Sequence, residues 1–433
     1  MPGYVMIAEY LLSAFAFLVG FAPCLSIATA NFAWVGFLAM WLATRLVRRE
    51  NPILARTPFD PPILAFLAVW LVSTFFGLSP LQSFKTLPSQ FHFVVFYLLV
   101  WVDDGRHARK ALFGCLWGAG LAVVYGLAQY GLWHFVYPQG EPPWLARLSP
   151  IWQGYVRLYV GRVHGAVYPL TYAEVILPLA IFLAAFYLNA ERMKRAFLWL
   201  GAFTGTAIAL LLSQSRGPWL GAAGGLTALE VFHRRRWRLL IPMAVIPLLF
   251  LNGDIRGRAG TFLNLEEDSS TTVRLAYWQS ALHISGRYPL VGVGTGQIYA
   301  AAARHRGDPE FPPLPPTWRG NVHNMFLQHL LEKGIIGLLI FIWLLSQFVI
   351  AGWHAWRRAR GGPDEILGLA LFCSFVAFPI INLTERAFDD AEVSLVFWTL
   401  AAAAVVMANA KRARTDQSPI TGPQTPDNHV DKT

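Results

Sequence analysis

Charge is scarce in this 433-residue sequence: Asp, Glu, Lys and Arg together make up 14% of it, where a soluble chain carries about 25%. Hydrophobic residues supply 55%, which excludes an ordinary soluble globule and leaves a lipid bilayer as the solvent that tolerates the balance. Cysteine is scarcer still. Cys24, Cys115 and Cys373, the only three, fall inside apolar runs with no metal-like spacing, so they read as small hydrophobes, and neither a disulfide framework nor a zinc site is indicated. No repeat of fixed period is visible. The first apolar run, 5–24, lacks a basic leader and a small-residue cleavage site and is read as an uncleaved anchor. The connection after it, 22–31, has no carboxylate, which argues against a hard metal there, since such ions need several oxygen ligands; Asp389 and Asp390, in the last outer turn, are the weaker candidates for one.

What the sequence has in quantity is long apolar runs. A bilayer core of about 30 Å needs roughly 17–25 apolar residues per helical crossing. Spans are expected at 5–24, 26–47, 62–78, 88–102, 111–135, 168–188, 197–213, 218–232, 239–251, 325–353, 366–384 and 393–409, an all-α polytopic membrane protein of about twelve transmembrane helices. The tenth exceeds a single crossing, so its first turns, from Met325, should stand above the bilayer. Alternate connections are basic: Arg45, Arg48, Arg49 and Arg56; Arg106, Arg109 and Lys110; Arg192, Lys194 and Arg195; Arg234, Arg235, Arg236 and Arg238; Arg357, Arg358 and Arg360; then Lys411, Arg412, Arg414 and Lys432 in the tail. Short cytoplasmic loops accumulate Lys and Arg, which places both termini in the cytoplasm and the long loop 252–324, between helices nine and ten, on the outer side. Residues 1–410 are expected as one membrane domain that includes this loop, and 411–433, polar and almost without apolar residues, as a disordered cytoplasmic tail. The net charge of +10 is in large part this topology signal, and no nucleic-acid partner is expected.

Basic residues that topology does not require gather on the outer side: Arg147, Arg157 and Arg162 before the sixth helix, and Arg256, Arg258, Arg274, Arg287, Arg304, Arg306 and Arg319 in the long loop. Arg216 lies in Ser213-Gln214-Ser215-Arg216-Gly217-Pro218 between two apolar runs. Free amides at a helix start plus a guanidinium form an anion site; the alternative is an arginine snorkelling to headgroups. Glu174, in the first turns of the sixth helix, is costly at that depth and calls for a partner, an arginine being the obvious one; it is either functional or a salt-bridge anchor. Thr271–Leu282 reads as a helix with Arg274, Tyr277 and Trp278 on one face, where the aromatics either pack or stack on sugars. The glycines 292, 294 and 296 lack the Lys-Ser/Thr of a phosphate loop and read as a tight loop. His323, followed by Asn324, directly precedes a membrane helix. It is either a cap or, with an ordinary imidazole pKa of about 6.5, a proton acceptor.

In order along the chain, Arg162 with Gly165 and Pro169, Ser215-Arg216-Gly217 with Leu220, Arg274 with Trp278 and the glycine loop, and His323-Asn324 with Leu327, Glu332, Gly334 and Gly337 together resemble the O-antigen ligase and polymerase superfamily of bacterial membrane glycosyltransferases. Where that family often has Asn after the proline, this chain has Leu170, and no role is carried to it. The resemblance, closest to O-antigen ligase, implies a GT-C-like architecture in the bacterial inner membrane with its site facing the periplasm. It implies inverting, metal-independent transfer of a glycan from undecaprenyl diphosphate to lipid A-core oligosaccharide, without a cofactor. His323 is then expected as the catalytic base and Arg162, Arg216 and Arg274 as the diphosphate ligands, with Ser215, Glu174, Asn324 and Trp278 in support. Membrane lipid is a further partner. An O-antigen polymerase or a protein O-oligosaccharyltransferase would share donor and motifs and differ in acceptor. A solute transporter, the reading from another class, would place its charges in paired broken helices near the midplane, whereas here they lie mainly at the outer surface.

Overall fold

The computed structural model describes residues 3–48, 56–102, 106–136, 147, 149, 162–233, 253–260, 269–315, 318 and 320–415. Every regular element among them is helical. The apolar runs become α1 (Gly3–Phe21), α2 (Ile27–Arg48), α3 (Asp60–Phe76), α6 (Arg106–Gly131, extended by a π turn over Leu132–Val136), α7 (Pro169–Asn189), α8 (Met193–Leu212), α9 (Arg216–Phe232), α13 (Met325–Ala359), α14 (Glu365–Asn382) and α15 (Ala391–Thr415). The shorter α4 (Pro80–Phe84), α5 (Val94–Trp101), α10 (Gly253–Gly260), α11 (Ser269–Ser285) and α12 (Ile298–His305) complete the order among the described residues. Eight helices among the described residues are long and apolar enough to cross a membrane, which makes this a multi-pass membrane protein.

The expected fourth span, 88–102, is different. Its only α-helix is α5, eight residues long, about 12 Å at 1.5 Å per residue and less than half a hydrocarbon core. Pro80 and Pro88 each open a short helical turn before it, and a proline has no N–H with which to continue a preceding helix. The segment enters the bundle as broken turns, and Tyr97 donates to Asp60 Oδ1 (2.8 Å) at the start of α3. The expected ninth span, 239–251, and the tail beyond 415 lie outside the described residues. The last helix runs to Thr415, five residues past the expected domain end.

Two apolar cores result among the described residues. The larger joins the membrane helices; its α1–α6 seam is so close that a Cβ at Gly20, Gly114 or Gly118 would strike backbone of the facing helix. Small residues are what allow such approach in lipid, where van der Waals packing replaces the hydrophobic drive between helices. The smaller core, around Ala281, Ile284, Val293, Ile298, Ala301, Trp318 and Val322, sits in the loop between α10 and α13. We call this the loop unit.

A strap of backbone ties the loop unit to the bundle. Helix α13 kinks at Gly334, whose φ of 68° and ψ of −170° break the helix. The loop 289–296 crosses the break: Val293 N–H donates to Leu331 O (2.9 Å), Gly294 N–H to Glu332 O (3.0 Å), and Ile335 N–H to Pro289 O (2.8 Å). The buried Glu332 side chain accepts from Gly296 N–H (3.0 Å) and Gln328 (2.8 Å). The glycine loop therefore satisfies groups that the kink leaves without intrahelical partners, as buried backbone requires.

Candidate functional site

The first part of the site is the turn between α8 and α9. Gln214 adopts φ 55°, a left-handed conformation uncommon outside glycine, and this reverses the chain so that Ser215 precedes α9 and Arg216 opens it. Arg162 is fastened to the same turn: its Nε donates to Ser213 O (2.8 Å) and its Nη2 to Ser215 Oγ (3.1 Å). Ser215 Oγ in turn donates to Pro169 O (3.3 Å) at the start of α7. Arg216 Nη1 donates to Thr271 Oγ1 (3.0 Å), so its guanidinium is directed to the start of α11. The two arginines separated by 54 positions in sequence are thus built onto one turn.

The second part joins α11 to the far end of the chain. Arg274 Nη1 donates to Thr384 O (2.8 Å) and Nη2 to Glu385 Oε1 (2.9 Å). The other oxygen of that carboxylate, Oε2, lies 3.2 Å from His323 Nδ1. Glu385 is only 3% exposed, against 24% for Arg274 and 29% for His323, so a buried carboxylate bridges two partly open functional groups. Gly217 brings the first part against the second, since a Cβ there would meet Thr384 Oγ1 and Glu385 Cγ.

His323 is held rather than merely placed. Its φ is 51°, its N–H donates to Asn321 Oδ1 (2.9 Å), and its ring lies near-parallel to Tyr277, centroids 6.4 Å apart, a tyrosine that also stacks with Trp318. Trp278 Nε1 donates to Val322 O (3.0 Å) and its ring packs against the loop-unit core, a positioning role for an aromatic read in sequence as either packing or sugar-stacking. The helix cap is Asn324, whose Oδ1 accepts from Leu327 N–H (3.1 Å). Burial pushes the Tyr277 phenol up from its ordinary value, with Arg274 opposing, so it remains neutral at physiological pH.

Other expectations fare differently. Glu174 is buried, at 1% exposure, yet makes no ion pair among the described residues and leaves Oε1 without a hydrogen bond; the expected arginine partner is not bonded to it. Asp389 pairs with Arg386 (3.1 Å), and Asp390 accepts from Thr171 Oγ1 (2.7 Å). Arg157, Arg258 and Arg319 lie outside the residues whose side chains are described. Glu385 is the residue that sequence reading missed. The available signal was a carboxylate ending an apolar run on the arginine-rich side, but its partners are 62 and 111 positions away.

The site is thus a cluster of arginines with a carboxylate-bound imidazole, where the loop unit meets the helices of a multi-pass membrane protein. Residues 197–342 match the family model described as O-antigen ligase, and the resemblance to the O-antigen ligase superfamily read from the motifs is thereby borne out. The match supports an O-antigen ligase or polymerase type of function, that of a glycosyltransferase-like enzyme. It includes Ser215, Arg216, Arg274, Trp278, His323 and Asn324, whereas Arg162, Glu174 and Glu385 lie outside it. No curated protein matches the chain.

Proposed function

We propose that this chain is an O-antigen ligase that transfers a glycan from undecaprenyl diphosphate to lipid A-core oligosaccharide, by inversion, at the periplasmic face of the bacterial inner membrane. The observation that carries the reading is the Glu385 bridge, which fixes an arginine and a histidine on one buried carboxylate beside the turn that bears Arg162 and Arg216. In the reaction the bond from the anomeric carbon to the diphosphate oxygen breaks, and the electron pair leaves with the diphosphate. Arg162, Arg216 and Arg274, planar and always charged, receive that developing charge. The acceptor hydroxyl attacks from the opposite face, forming the new glycosidic bond, and its proton passes to His323 Nε2. Glu385 accepts from the Nδ1–H, which leaves Nε2 as the free base and stabilises the imidazolium that forms, the orienting role a carboxylate plays in a Ser-His-Asp triad. Charge neutralisation by guanidinium asks for no metal.

Purified protein given a lipid-diphosphate glycan, with lipid A-core, a second repeat-unit donor, or a serine-containing peptide supplied separately, tests the assignment. Transfer to lipid A-core, undiminished by EDTA, is expected. Chain extension alone would make it a polymerase, and transfer to the peptide alone a protein O-oligosaccharyltransferase. Complete loss with EDTA, restored by Mg²⁺ or Mn²⁺, would overturn the metal-independent step.

A further inference from the structure

Helix α11 is poor in charge for an element outside the hydrocarbon core. Over Ser269–Ser285 Arg274 is the only Asp, Glu, Lys or Arg, and it is turned inward onto Thr384 and Glu385. The outward edge is Thr272, Leu275, Gln279, Leu282 and, just past the last turn, Gly286, the alternation of three and four that keeps residues on one side of a helix. Leu275 is 43% exposed and Leu282 55%. A helix bathed in water carries charged residues on the side away from its core; this edge has none.

The chain that leaves this helix leads to an exposed apolar surface on α13. After α11 the chain turns at Tyr288, whose N–H donates to Ile284 O and Ser285 O, and Pro289 O accepts from Ile335 N–H at the kink of α13. Leu290, 63% exposed, lies beside that junction, and Ile335, Ile336 and Leu339 are exposed from there along α13, a helix long and apolar enough to cross a membrane.

We infer that α11 lies in the membrane surface, with Leu275, Leu282 and Leu290 immersed among the lipids of the leaflet at the N-terminal end of α13. Interfacial helices bury an apolar face about 5–10 Å into the headgroup and acyl boundary. Arg274, about a quarter-turn round the helix from Leu275 and Leu282 at roughly 3.6 residues per turn and turned onto Glu385, is then held at headgroup depth, the level at which a lipid-linked diphosphate travels. Only this last consequence rests on the proposed function; the immersion of α11 does not.

The test is a depth measurement on the full chain in phosphatidylethanolamine–phosphatidylglycerol nanodiscs. Single cysteines carrying a nitroxide replace Leu282, Leu290 or, as a water-facing reference, the exposed Glu310. Cys24, Cys115 and Cys373 are buried, so labelling is selective. Relaxation by oxygen, which concentrates in lipid, is compared with relaxation by a water-soluble nickel chelate. The oxygen-to-nickel ratio at Leu282 and Leu290 is expected several-fold above that at Glu310. A ratio equal to the reference at both leucines would overturn the inference, as would exclusion of both reagents with label–label broadening, which would mean that a second copy of the chain covers the edge. Glycan transfer is not read in this experiment, so its outcome is independent of the assigned reaction.

Discussion

At His323 the structure separates two roles that the sequence leaves joined, because the cap of α13 is made by Asn324 and not by the histidine. His323→Ala should therefore leave the helix start intact and lower transfer by about 10²- to 10⁴-fold, the usual contribution of a general base, with donor binding retained. His323→Asn is the companion variant, since asparagine tolerates the left-handed backbone at this position and guards against a loss caused by strain. Turnover and lipid-donor binding on the same preparations check both; near-parental turnover would remove His323 from the mechanism. Glu385→Gln should act through the histidine. Hydrogen bonds to charged groups carry about 1.5–3 kcal/mol, so kcat should fall roughly 10- to 150-fold, with a changed pH profile that a purely structural residue would not produce. Arg162, Ser215 and Arg216 were legible because they lie in local motifs on the side of the membrane where arginine is not needed for topology. Glu385 was not, since nothing in Leu383-Thr384-Glu385-Arg386 distinguishes a bridging carboxylate from the neighbouring Asp389 and Asp390.

Among the elements, the strap over the kink of α13 makes the sharpest demand on sequence. Gly334 has φ 68°, and a Cβ there would collide with the backbone of Leu290. Left-handed backbone alone costs a non-glycine residue roughly 1–2 kcal/mol, so Gly334→Ala should lower the thermal midpoint in detergent, whereas alanine at Gly201, where a Cβ meets nothing within 4 Å, should not. A second element-level device closes α11 onto α12. Asp308 Oδ2 is shared by His283 (3.1 Å), His305 (3.0 Å) and Arg287 (2.8 Å), and the hydrogen bond from His283 leads the causes that hold its carboxyl below the ordinary 3.8. A depressed carboxyl contributes stability above its unfolded pKa and loses it as pH falls through the folded value. The Tm difference between wild type and Asp308→Asn should accordingly be present at neutral pH and vanish as the buffer is taken below 3.8. The helices themselves were largely legible from apolar length. The exception is 88–102, where apolar length suggested a crossing but the α-helix begins only at Val94, after the short turns that contain Pro80 and Pro88.

For the whole molecule, the distribution of basic residues makes a single directional claim: the loop unit is outside. A cysteine at Glu310 should react with an impermeant thiol reagent on intact spheroplasts, and one at Arg360, in the basic turn after α13, only once the membrane is opened; the reverse pattern would invert the topology. The architecture was readable because a bilayer imposes length, polarity and charge bias on every crossing. The site's final geometry was not, because it is assembled across a boundary. Glu385 stands on the turn between two bundle helices, Arg274 on a helix of the loop unit, and His323 in the last turn before the chain re-enters the bundle. The three meet only while the loop unit is seated. Lifted away, it would leave a carboxylate, a guanidinium and an imidazole without one another. Under the proposed reaction, the seat of the loop unit and the reactivity of the site would hang on one carboxylate, so that whatever loosens the first disarms the second.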